Sequence, residues 1–294
     1  MAVLTLTVSP EQAGCTVLSL LKTELRLSSG CIHRLKRQDA GITLNGTRVF
    51  TTAVVQTGDV LAADVSSVER PSQIRPIPMD LDIYFEDEHL LILDKPAPLA
   101  TIPSSLVPDE PTLANGIAHY LGPEAGFHPV NRLDRGTTGL MVVAKTGCIH
   151  ERLQRSLHSG SFFREYLAVT LGVPDPPVGE IHLAIGRAEG SAIKRCIDPA
   201  GREAHTEYRV LESRGGLALV ELHPLTGRTH QLRVHMASMG CPLAGDWLYG
   251  VEDPELIPRP ALHGARLALE HPITGERLDL RAPLPPDMTK LLER

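Results

Sequence analysis

The chain has 294 residues, of which 42% are hydrophobic, so it can bury a sizeable core and, at roughly 150 residues per domain, predicts two domains. No apolar run approaches the ~20 residues of a membrane span and the first residues lack a signal-peptide pattern, so we expect a cytoplasmic protein without membrane association. The formal net charge of −6 argues weakly against a nucleic-acid partner, because Lys and Arg drive phosphate binding, and the location of the cations therefore matters.

The cysteines are odd in number, widely scattered and never spaced as C-x-x-C. This pattern favours neither a disulfide framework nor a thiolate zinc site. We therefore expect reduced, mostly structural thiols. The positions are Cys15, Cys31, Cys148, Cys196 and Cys241.

The first 65 residues predict a small unit of two helices and a hairpin. The alternating segment 3–8 predicts a strand, and Thr16 is placed to cap a helix with an apolar face. A second short helix is expected after Ser28. The dipeptide Asn45-Gly46, between two β-prone runs, is a strong hairpin signal, and Gly58-Asp59 predicts the next turn.

The two predicted helices carry a basic patch within an acidic chain. Only Glu24 opposes these cations locally. The patch is either a solvated helix face or a surface that binds RNA. The run LLKTELRLSSGCIHRLKRQDAGITLNGTRV resembles the S4 RNA-binding domain over about residues 10–65, which implies the second interpretation. The cations are Lys22, Arg26, Arg34, Lys36 and Arg37.

A segment without hydrophobic periodicity, 66–79, contains three prolines and predicts a linker of restricted flexibility. Beyond it, strand-like runs alternate irregularly with helix-like stretches near 112–121, 146–158 and 229–239. This pattern predicts an α+β fold with a mixed, largely antiparallel sheet. The predicted division is an S4-like domain at 1–70, a linker at 71–79 and a catalytic domain at 80–294. The strand-like runs are 83–85, 90–93, 140–144, 166–171, 217–222 and 267–269.

The segment HPVNRLDRGTTG at 128–139 places polar and flexible residues directly before the apolar run LMVVAK. A loop at the end of a strand can aim a carboxylate into a cleft while the sheet holds it in place. Asp134 lies between Arg132 and Arg135, so taken alone it is either a structural ion pair or a catalytic carboxylate.

This segment resembles the H-R-L-D-x-x-T-S-G motif of the RluA family of pseudouridine synthases. Further matches follow in the family's order, at LILDKP, REYLAVTLG, GRTHQLRVHMASMGCPLAGDWLYG, LHGARLAL and HPITGERLDLRAPLP. The resemblance implies that Asp134 is catalytic, that Arg132 enters the space left by the flipped base and that Tyr166 lies against that base. It implies that Arg233 pairs with the catalytic carboxylate, with Arg228 as the second choice for that role and otherwise as an RNA contact.

The implied chemistry is consistent with these residue types. The target uridine must leave its stack at a cost of a few kcal/mol, and a planar guanidinium such as that of Arg132 can partly fill the gap. Attack on ribose C1′ or uracil C6 requires an ionised carboxylate, which a neighbouring arginine would stabilise. The isomerisation needs neither redox chemistry nor an energy donor, so no cofactor is expected, and the chain has no phosphate-loop or dinucleotide-binding motif.

The partner implied by the resemblance is rRNA or tRNA, bound by a monomer without a nucleotide cofactor. No metal is expected, because His230 and His235 are five residues apart and lack the i, i+4 spacing of helical zinc ligands. Asn131 and Thr138 replace the family's usual His and Ser, and both retain hydrogen-bonding groups. The alternative function is a catalytically inactive RNA-binding protein or RNA chaperone with the same fold.

Overall fold

The computed structural model describes residues 3–65, 74–104, 107–122, 126–159 and 161–293. The N-terminal unit contains two helices packed on a four-stranded sheet with the strand order β1-β4-β2-β3. Within the described ranges no helix is long and apolar enough to cross a membrane. The elements of this unit are β1 (Val3–Thr7), α1 (Val17–Thr23), α2 (Ser29–Leu35), β2 (Ile42–Leu44), β3 (Thr47–Arg48) and β4 (Val60–Asp64).

Local sequence signals account for the N-terminal unit. The hydroxyl of Thr16 accepts a hydrogen bond from the backbone N–H of Ser19, so the first helix begins at the predicted cap, and the hydroxyl of Ser28 caps the second helix in the same way by accepting from Cys31. Asn45 and Gly46 have φ angles of 52° and 77°. Two consecutive positive φ angles are what a type I′ turn requires, so the predicted hairpin is confirmed.

The rest of the chain is built on a ten-stranded sheet. Its main path is β10-β13-β14-β9-β15-β8-β6-β5, with β16 beside β15 and β7 beside β8. Among the described pairs only β8 with β15 is parallel, which confirms the expected mixed, largely antiparallel sheet. The elements are β5 (Asp82–Glu86), β6 (Leu90–Lys95), α3 (Leu113–Leu121), β7 (His128–Pro129), β8 (Thr138–Ala144), α4 (Gly147–Ser159), β9 (Phe163–Leu171), β10 (Val178–His182), β11 (Ile185–Arg187), β12 (Arg195–Ile197), β13 (His205–Arg214), β14 (Leu217–Pro224), α5 (Gln231–Ser238), β15 (Leu262–Glu270), β16 (Arg277–Arg281) and α6 (Pro286–Glu293).

The central strands are buried on both faces, which explains their continuous apolar runs. On β6, Leu91 and Leu93 belong to the cluster that includes residues of α3 and α5. The alternate residues Leu90 and Ile92 belong to the cluster that includes residues of α4. Because successive side chains of a strand point to opposite faces, one short strand supplies both cores.

The N-terminal unit is fastened to α4, and here the expectation of reduced thiols was wrong. Cys31 and Cys148, which are 117 residues apart, form a disulfide between α2 and α4, while the other three cysteines are free. The guanidinium of Arg152 donates to the Leu25 carbonyl at 3.0 Å, and that of Arg155 donates to the Arg26 carbonyl at 2.6 Å. Both cysteines are buried within the core of the N-terminal unit.

The predicted linker falls partly outside the described residues, which resume at position 74 after 65. Of its described part, Ile77 donates its backbone N–H to the carbonyl of Asn115 at 3.1 Å. The Asn115 amide donates in turn to the carbonyl of Arg75 at 2.8 Å. Residues 75–77 are therefore fixed along α3.

The disulfide generates a stability prediction. Replacing both Cys31 and Cys148 with Ala should lower the free energy of unfolding by about 2–4 kcal/mol under oxidising conditions, because a cross-link across a long loop restricts the unfolded chain. Chemical denaturation measures this, and a reductant should destabilise the wild type while leaving the double variant unchanged. The substitution Cys15→Ala, at a free thiol, is the matched control. Five reactive thiols in the unfolded, unreduced wild type would contradict the prediction.

Candidate active site

The loop 131–137, between β7 and β8, forms the floor of a deep cleft and carries Asp134. The side chain of Asn131 accepts from the N–H of Val142 at 2.8 Å and donates to the carbonyl of Leu140 at 3.3 Å, so its amide pairs with β8 as a further strand residue would. The Thr138 hydroxyl is 2.9 Å from Nδ1 of His263. Both departures from the usual motif thus anchor the loop through hydrogen bonds, as expected.

A second set of contacts holds the loop from behind. The Thr101 hydroxyl donates to the carbonyl of Leu133 at 2.8 Å, and Leu99 donates its N–H to the carbonyl of Arg135 at 3.0 Å. Lys95 is fully buried, and its ammonium donates to the Leu99 carbonyl at 2.7 Å. Burial lowers the pKa of Lys95 to about 7, and the charge of Asp134 opposes this shift.

Arg259 ties the loop to the C-terminal helix. Its guanidinium forms a bidentate ion pair with Asp287 of α6 at 2.7 and 2.8 Å, and its remaining nitrogen donates to the carbonyls of Leu262 at 3.2 Å and Gly136 at 3.4 Å. Position 136 has no space for a side chain, because a Cβ there would lie 2.8 Å from Cδ of Pro260. The loop therefore has little freedom to move Asp134.

Arg233, on α5, links Asp134 to a carboxylate that the sequence did not indicate. Its NH1 is 3.4 Å from Oδ2 of Asp134, as the resemblance implied. Its shorter contacts are a bidentate pair with Asp246, where both N–O distances are 2.7 Å. Burial alone would lower the pKa of Arg233, but the hydrogen bonds and charge of Asp246 reverse this and raise it, so the guanidinium is permanently charged.

The Asp134 carboxylate remains partly open to the cleft, with 30% of its side chain exposed, against 6% for Arg233 and 0% for Asp246. Asp246 is therefore a buried charge that Arg233 compensates, whereas Asp134 offers an oxygen to a ligand. The bidentate contact with Asp246 fixes the position of the Arg233 guanidinium. Removing either partner would destabilise the fold, because the other charge would be left buried and unpaired.

His230 is a further neighbour of Asp134. Its Nε2 lies 3.8 Å from Oδ2 of Asp134, and its Nδ1 is 2.8 Å from the Tyr249 hydroxyl. The residue has a φ of 59°, so the backbone turns sharply before α5 and directs the imidazole into the cleft. Burial lowers the pKa of His230 while the charge of Asp134 opposes this, which favours the neutral imidazole at physiological pH.

The cleft has a volume of about 710 Å³, which lies in the roughly 300–1,000 Å³ range of ligand sites. Tyr166 is 7% exposed and lines it, and burial raises the pKa of its phenol, so the hydroxyl stays protonated. Arg132 is exposed at the cleft. Arg228 also lines it but donates to the Glu203 carbonyl at 2.8 Å instead of pairing with Asp134. The structure thus brings together all five residues assigned to the cleft from the sequence: Arg132, Asp134, Tyr166, Arg228 and Arg233.

The five cations of the N-terminal unit are exposed and, among the described residues, do not line the cleft. Arg34 lies 3.8 Å from Glu151 of α4, so Glu24 is not the only carboxylate near the patch. The opposite side of α4 contributes Gln154 and Leu157 to the cleft. The same helix therefore contacts the basic unit on one side and the cleft on the other.

Sequence reasoning missed Asp246 and His230 as members of the site. Asp246 lies in the matched run GCPLAGDWLYG, but its pairing with a residue 13 positions earlier depends on the turn between them. His230 precedes Gln231 within GRTHQLR and was weighed only as a metal ligand. Both residues lie within the matched run GRTHQLRVHMASMGCPLAGDWLYG, in which only Arg228 and Arg233 had been given a role in the site. Their place in that run was the signal that could have identified them.

Two family models match the chain. Residues 89–238 match the model described as RNA pseudouridylate synthase, and residues 4–61 match the RluD ribosomal pseudouridine synthase N-terminal domain. The chain is 38% identical to the uncharacterized RNA pseudouridine synthase YjbO of Bacillus subtilis (strain 168), over 92% of this chain and 96% of that protein. It is 37% identical to the ribosomal large subunit pseudouridine synthase D of Escherichia coli (strain K12), over 78% of this chain and 74% of that protein.

A solved structure agrees with these relatives. Human RNA pseudouridylate synthase domain containing 4 is 26% identical and superposes with a TM-score of 0.58, covering 72% of this chain and 92% of that chain. The matched synthase segment includes Asp134, Tyr166 and Arg233, which the fold brings to one cleft. The chain belongs to the RNA pseudouridylate synthase family and is an RNA pseudouridine synthase.

Proposed function

We propose that this protein converts uridine to pseudouridine in large-subunit rRNA or tRNA, with Asp134 as the attacking carboxylate. The observation that carries the proposal is the position of Asp134, partly exposed at the floor of the cleft and 3.4 Å from the guanidinium of Arg233. A charged carboxylate with one accessible oxygen can attack either C1′ of the ribose or C6 of the uracil. The ribosomal RNA target is suggested by the name of the relative from Escherichia coli.

The cleft accepts the target base outside its stack. Arg132 is exposed at the cleft, where its planar guanidinium can replace the flipped base and offset part of the unstacking cost of a few kcal/mol. Tyr166 offers an aromatic face to the uracil, and because burial keeps its hydroxyl protonated, the phenol can donate a hydrogen bond to the base. Tyr166 would then lie against the flipped base while Arg132 fills the space that the base leaves.

Arg233 places a permanent positive charge 3.4 Å from the attacking carboxylate. Its bidentate pair with Asp246 orients the guanidinium before the substrate arrives, so no reorganisation is needed during the reaction. His230 lies on the same side of Asp134 and, as a neutral imidazole, adds no competing positive charge. The catalytic step requires no cofactor, because the isomerisation breaks a C–N bond and forms a C–C bond within one molecule.

The alternative, an inactive RNA-binding protein or chaperone, is disfavoured by the intact set of catalytic residues. RNA binding alone does not require the buried pair of Arg233 and Asp246 to contact the partly exposed carboxylate of Asp134 in the cleft. Asp134, Tyr166 and Arg233 all retain the residue types that the chemistry requires.

We further propose that residues 1–70 form an S4-like RNA-anchoring domain, joined by 71–79 to a catalytic domain at 80–294. The support is the exposed cationic patch on α1, α2 and the residues that follow each, together with the contact of this unit to α4, which also lines the cleft. RNA bound on the patch would lie beside the helix that borders the active site. We also propose that the protein acts as a monomer in the cytoplasm.

The substitution Asp134→Asn should abolish pseudouridine formation while RNA affinity stays within a few-fold of the wild type. The amide is nearly isosteric but removes both the nucleophile and the charge. Tritium release from RNA labelled at uridine C5 measures turnover, and Asp109→Asn, at an exposed carboxylate outside the cleft lining, is the control. Normal release by Asp134→Asn would refute the assignment.

Substitutions in the Arg233 pair should reduce kcat more than they affect RNA binding. Asp246→Asn cannot hold the guanidinium as an ion pair, and we expect a loss of about 10²-fold in kcat, as is typical of a displacement of about 1 Å at a reacting group. Arg233→Ala should be more damaging, because it leaves a buried carboxylate uncompensated at roughly 3–5 kcal/mol, and Arg233→Lys should recover part of the loss.

The control for this pair is Asp279→Asn, which breaks the bidentate contact of Arg266 on the exposed part of the sheet. It should leave kcat unchanged. Thermal unfolding of each variant separates misfolding from lost chemistry. If Arg228→Ala removed activity while Arg233→Ala did not, the wrong arginine would have been chosen.

Neutralising the basic patch should weaken RNA binding without altering the chemistry. The triple variant of Lys22, Lys36 and Arg37 to Ala leaves Arg26 and Arg34 at the α4 contact intact. If all three cations contact phosphates of single-stranded RNA, the slope of log affinity against log salt should flatten by about 2, at ~0.7 per phosphate. KM should rise while kcat stays within a few-fold, because uniform binding is lost.

A triple variant of Arg214, Arg277 and Lys290 to Ala carries the same charge change at exposed positions outside the patch and should keep the wild-type slope. An unchanged slope for the patch variant would contradict the anchoring role. So would a collapse of kcat with KM intact in a well-folded protein.

A further inference from the structure

The outer edge of the large sheet carries a cluster of metal-binding side chains that the isomerisation does not use. Glu180 and His182 are two residues apart on the edge strand β10, so both side chains point to the same face. His205, on β13, lies directly opposite His182 in the strand register. Cross-strand partners of this kind lie close enough for their side chains to interact.

The three side chains converge on one point. Nε2 of His182 is 2.8 Å, and Nε2 of His205 is 3.1 Å, from the same Glu180 oxygen, Oε2. The two imidazole ring centroids are 3.6 Å apart. One potential ligand atom from each residue therefore lies within 4.8 Å of the others.

We propose that Glu180, His182 and His205 bind a divalent late-transition-metal ion such as Zn²⁺. Two imidazole nitrogens and one carboxylate oxygen form the ligand set of many three-ligand zinc sites, in which a fourth position stays open to water. Ligand atoms about 2.0–2.2 Å from a tetrahedral zinc ion are roughly 3.3–3.6 Å apart, so the two nitrogens need to move only a few tenths of an ångström from the oxygen.

The donor set also selects the class of ion. Ca²⁺ and Mg²⁺ take six or more oxygen ligands, and this cluster offers only one carboxylate, whereas imidazole suits zinc, copper and nickel. Glu180 and His182 are exposed, so an ion can enter from solvent. The sequence analysis predicted no metal because it considered only His230 and His235. His182 and His205 are 23 positions apart, and only the pairing of β10 with β13 brings them together.

The frame of the cluster is rigid on its inner side. The His205 N–H donates to the Thr226 hydroxyl at 2.9 Å, and its carbonyl accepts from the N–H of Leu225 at 3.0 Å and from the Gln231 amide at 2.9 Å. A ligand held by sheet pairing and three further hydrogen bonds loses little freedom when a metal binds. These partners line the cleft, so an ion would cross-link the edge strand to the wall of the active site.

A matched control lies on the same face of the sheet. His223 contacts Glu207 at 3.0 Å and occupies the register position opposite it on β14. This pair has one histidine and one carboxylate but no second imidazole, so it should bind metal far more weakly than the proposed site. Substituting it removes the same type of side chain without removing a proposed ligand.

The experiment uses the full-length protein without a histidine tag, titrated calorimetrically with Zn²⁺ and followed spectroscopically with Co²⁺. We expect one ion per chain, with an affinity that falls at least tenfold in His182→Gln and in His205→Gln but is unchanged in His223→Gln. The Co²⁺ spectrum should lack a thiolate charge-transfer band, which separates this site from the free cysteines.

Zn²⁺ should also raise the thermal unfolding midpoint of the wild type and of His223→Gln, but not that of His182→Gln. The exposed position of His182 makes this variant a safe test of a folded chain. Absence of binding would overturn the proposal. Binding that falls equally in all three variants, or in none of them, would also overturn it and show an adventitious ion only. Catalytic activity is not the readout, so the result is independent of the proposed isomerisation.

Discussion

The ion pair between Arg233 and Asp246 is the interaction on which the active site depends. Asp246 is completely buried, and its Oδ1 also accepts backbone N–H bonds from Leu248 and Tyr249 at 3.1 and 3.3 Å. A carboxylate saturated in this way has a fixed position, and it fixes the guanidinium that it binds. The nitrogen left over on Arg233 then faces Asp134, which is the only one of the two carboxylates open to the cleft.

The two walls of the cleft are stiffened by different means. The side chains of Thr101 and Arg259 hold the loop that carries Asp134 by donating hydrogen bonds to its backbone carbonyls. A loop needs such donors because it cannot pair all its own backbone polar groups. The opposite wall is held through Gln231, whose amide bonds reach β13 and the segment before α5. Two rigid walls place the carboxylate and its counter-charge before RNA binds, and the exposed Arg132 is left free to respond to the substrate.

The sequence predicted the parts of the fold that depend on local patterns and missed those that depend on distant pairing. The apolar central strands, the capped helices and the motif around Asp134 were all legible. Strand β13 (His205–Arg214) was not, because its polar residues face solvent and give no apolar run. The role of Asp246 was missed because a side-chain ion pair across a turn leaves no periodic pattern in the sequence. The disulfide between Cys31 and Cys148 was missed because two cysteines 117 residues apart form no recognisable spacing motif. The helix predicted near 229–239 begins only at Gln231, because the positive φ of His230 is not helical.

The most direct test of the central claim is a double-mutant cycle on kcat with Arg233→Lys, Asp246→Asn and the combined variant, measured by tritium release at saturating RNA. If Asp246 acts on turnover only by positioning Arg233, the combined variant should be little worse than the more damaged single variant, because the interaction can be lost only once. Losses in kcat that multiply independently, with all three proteins folded, would contradict the account and show that Asp246 and Arg233 serve separate purposes.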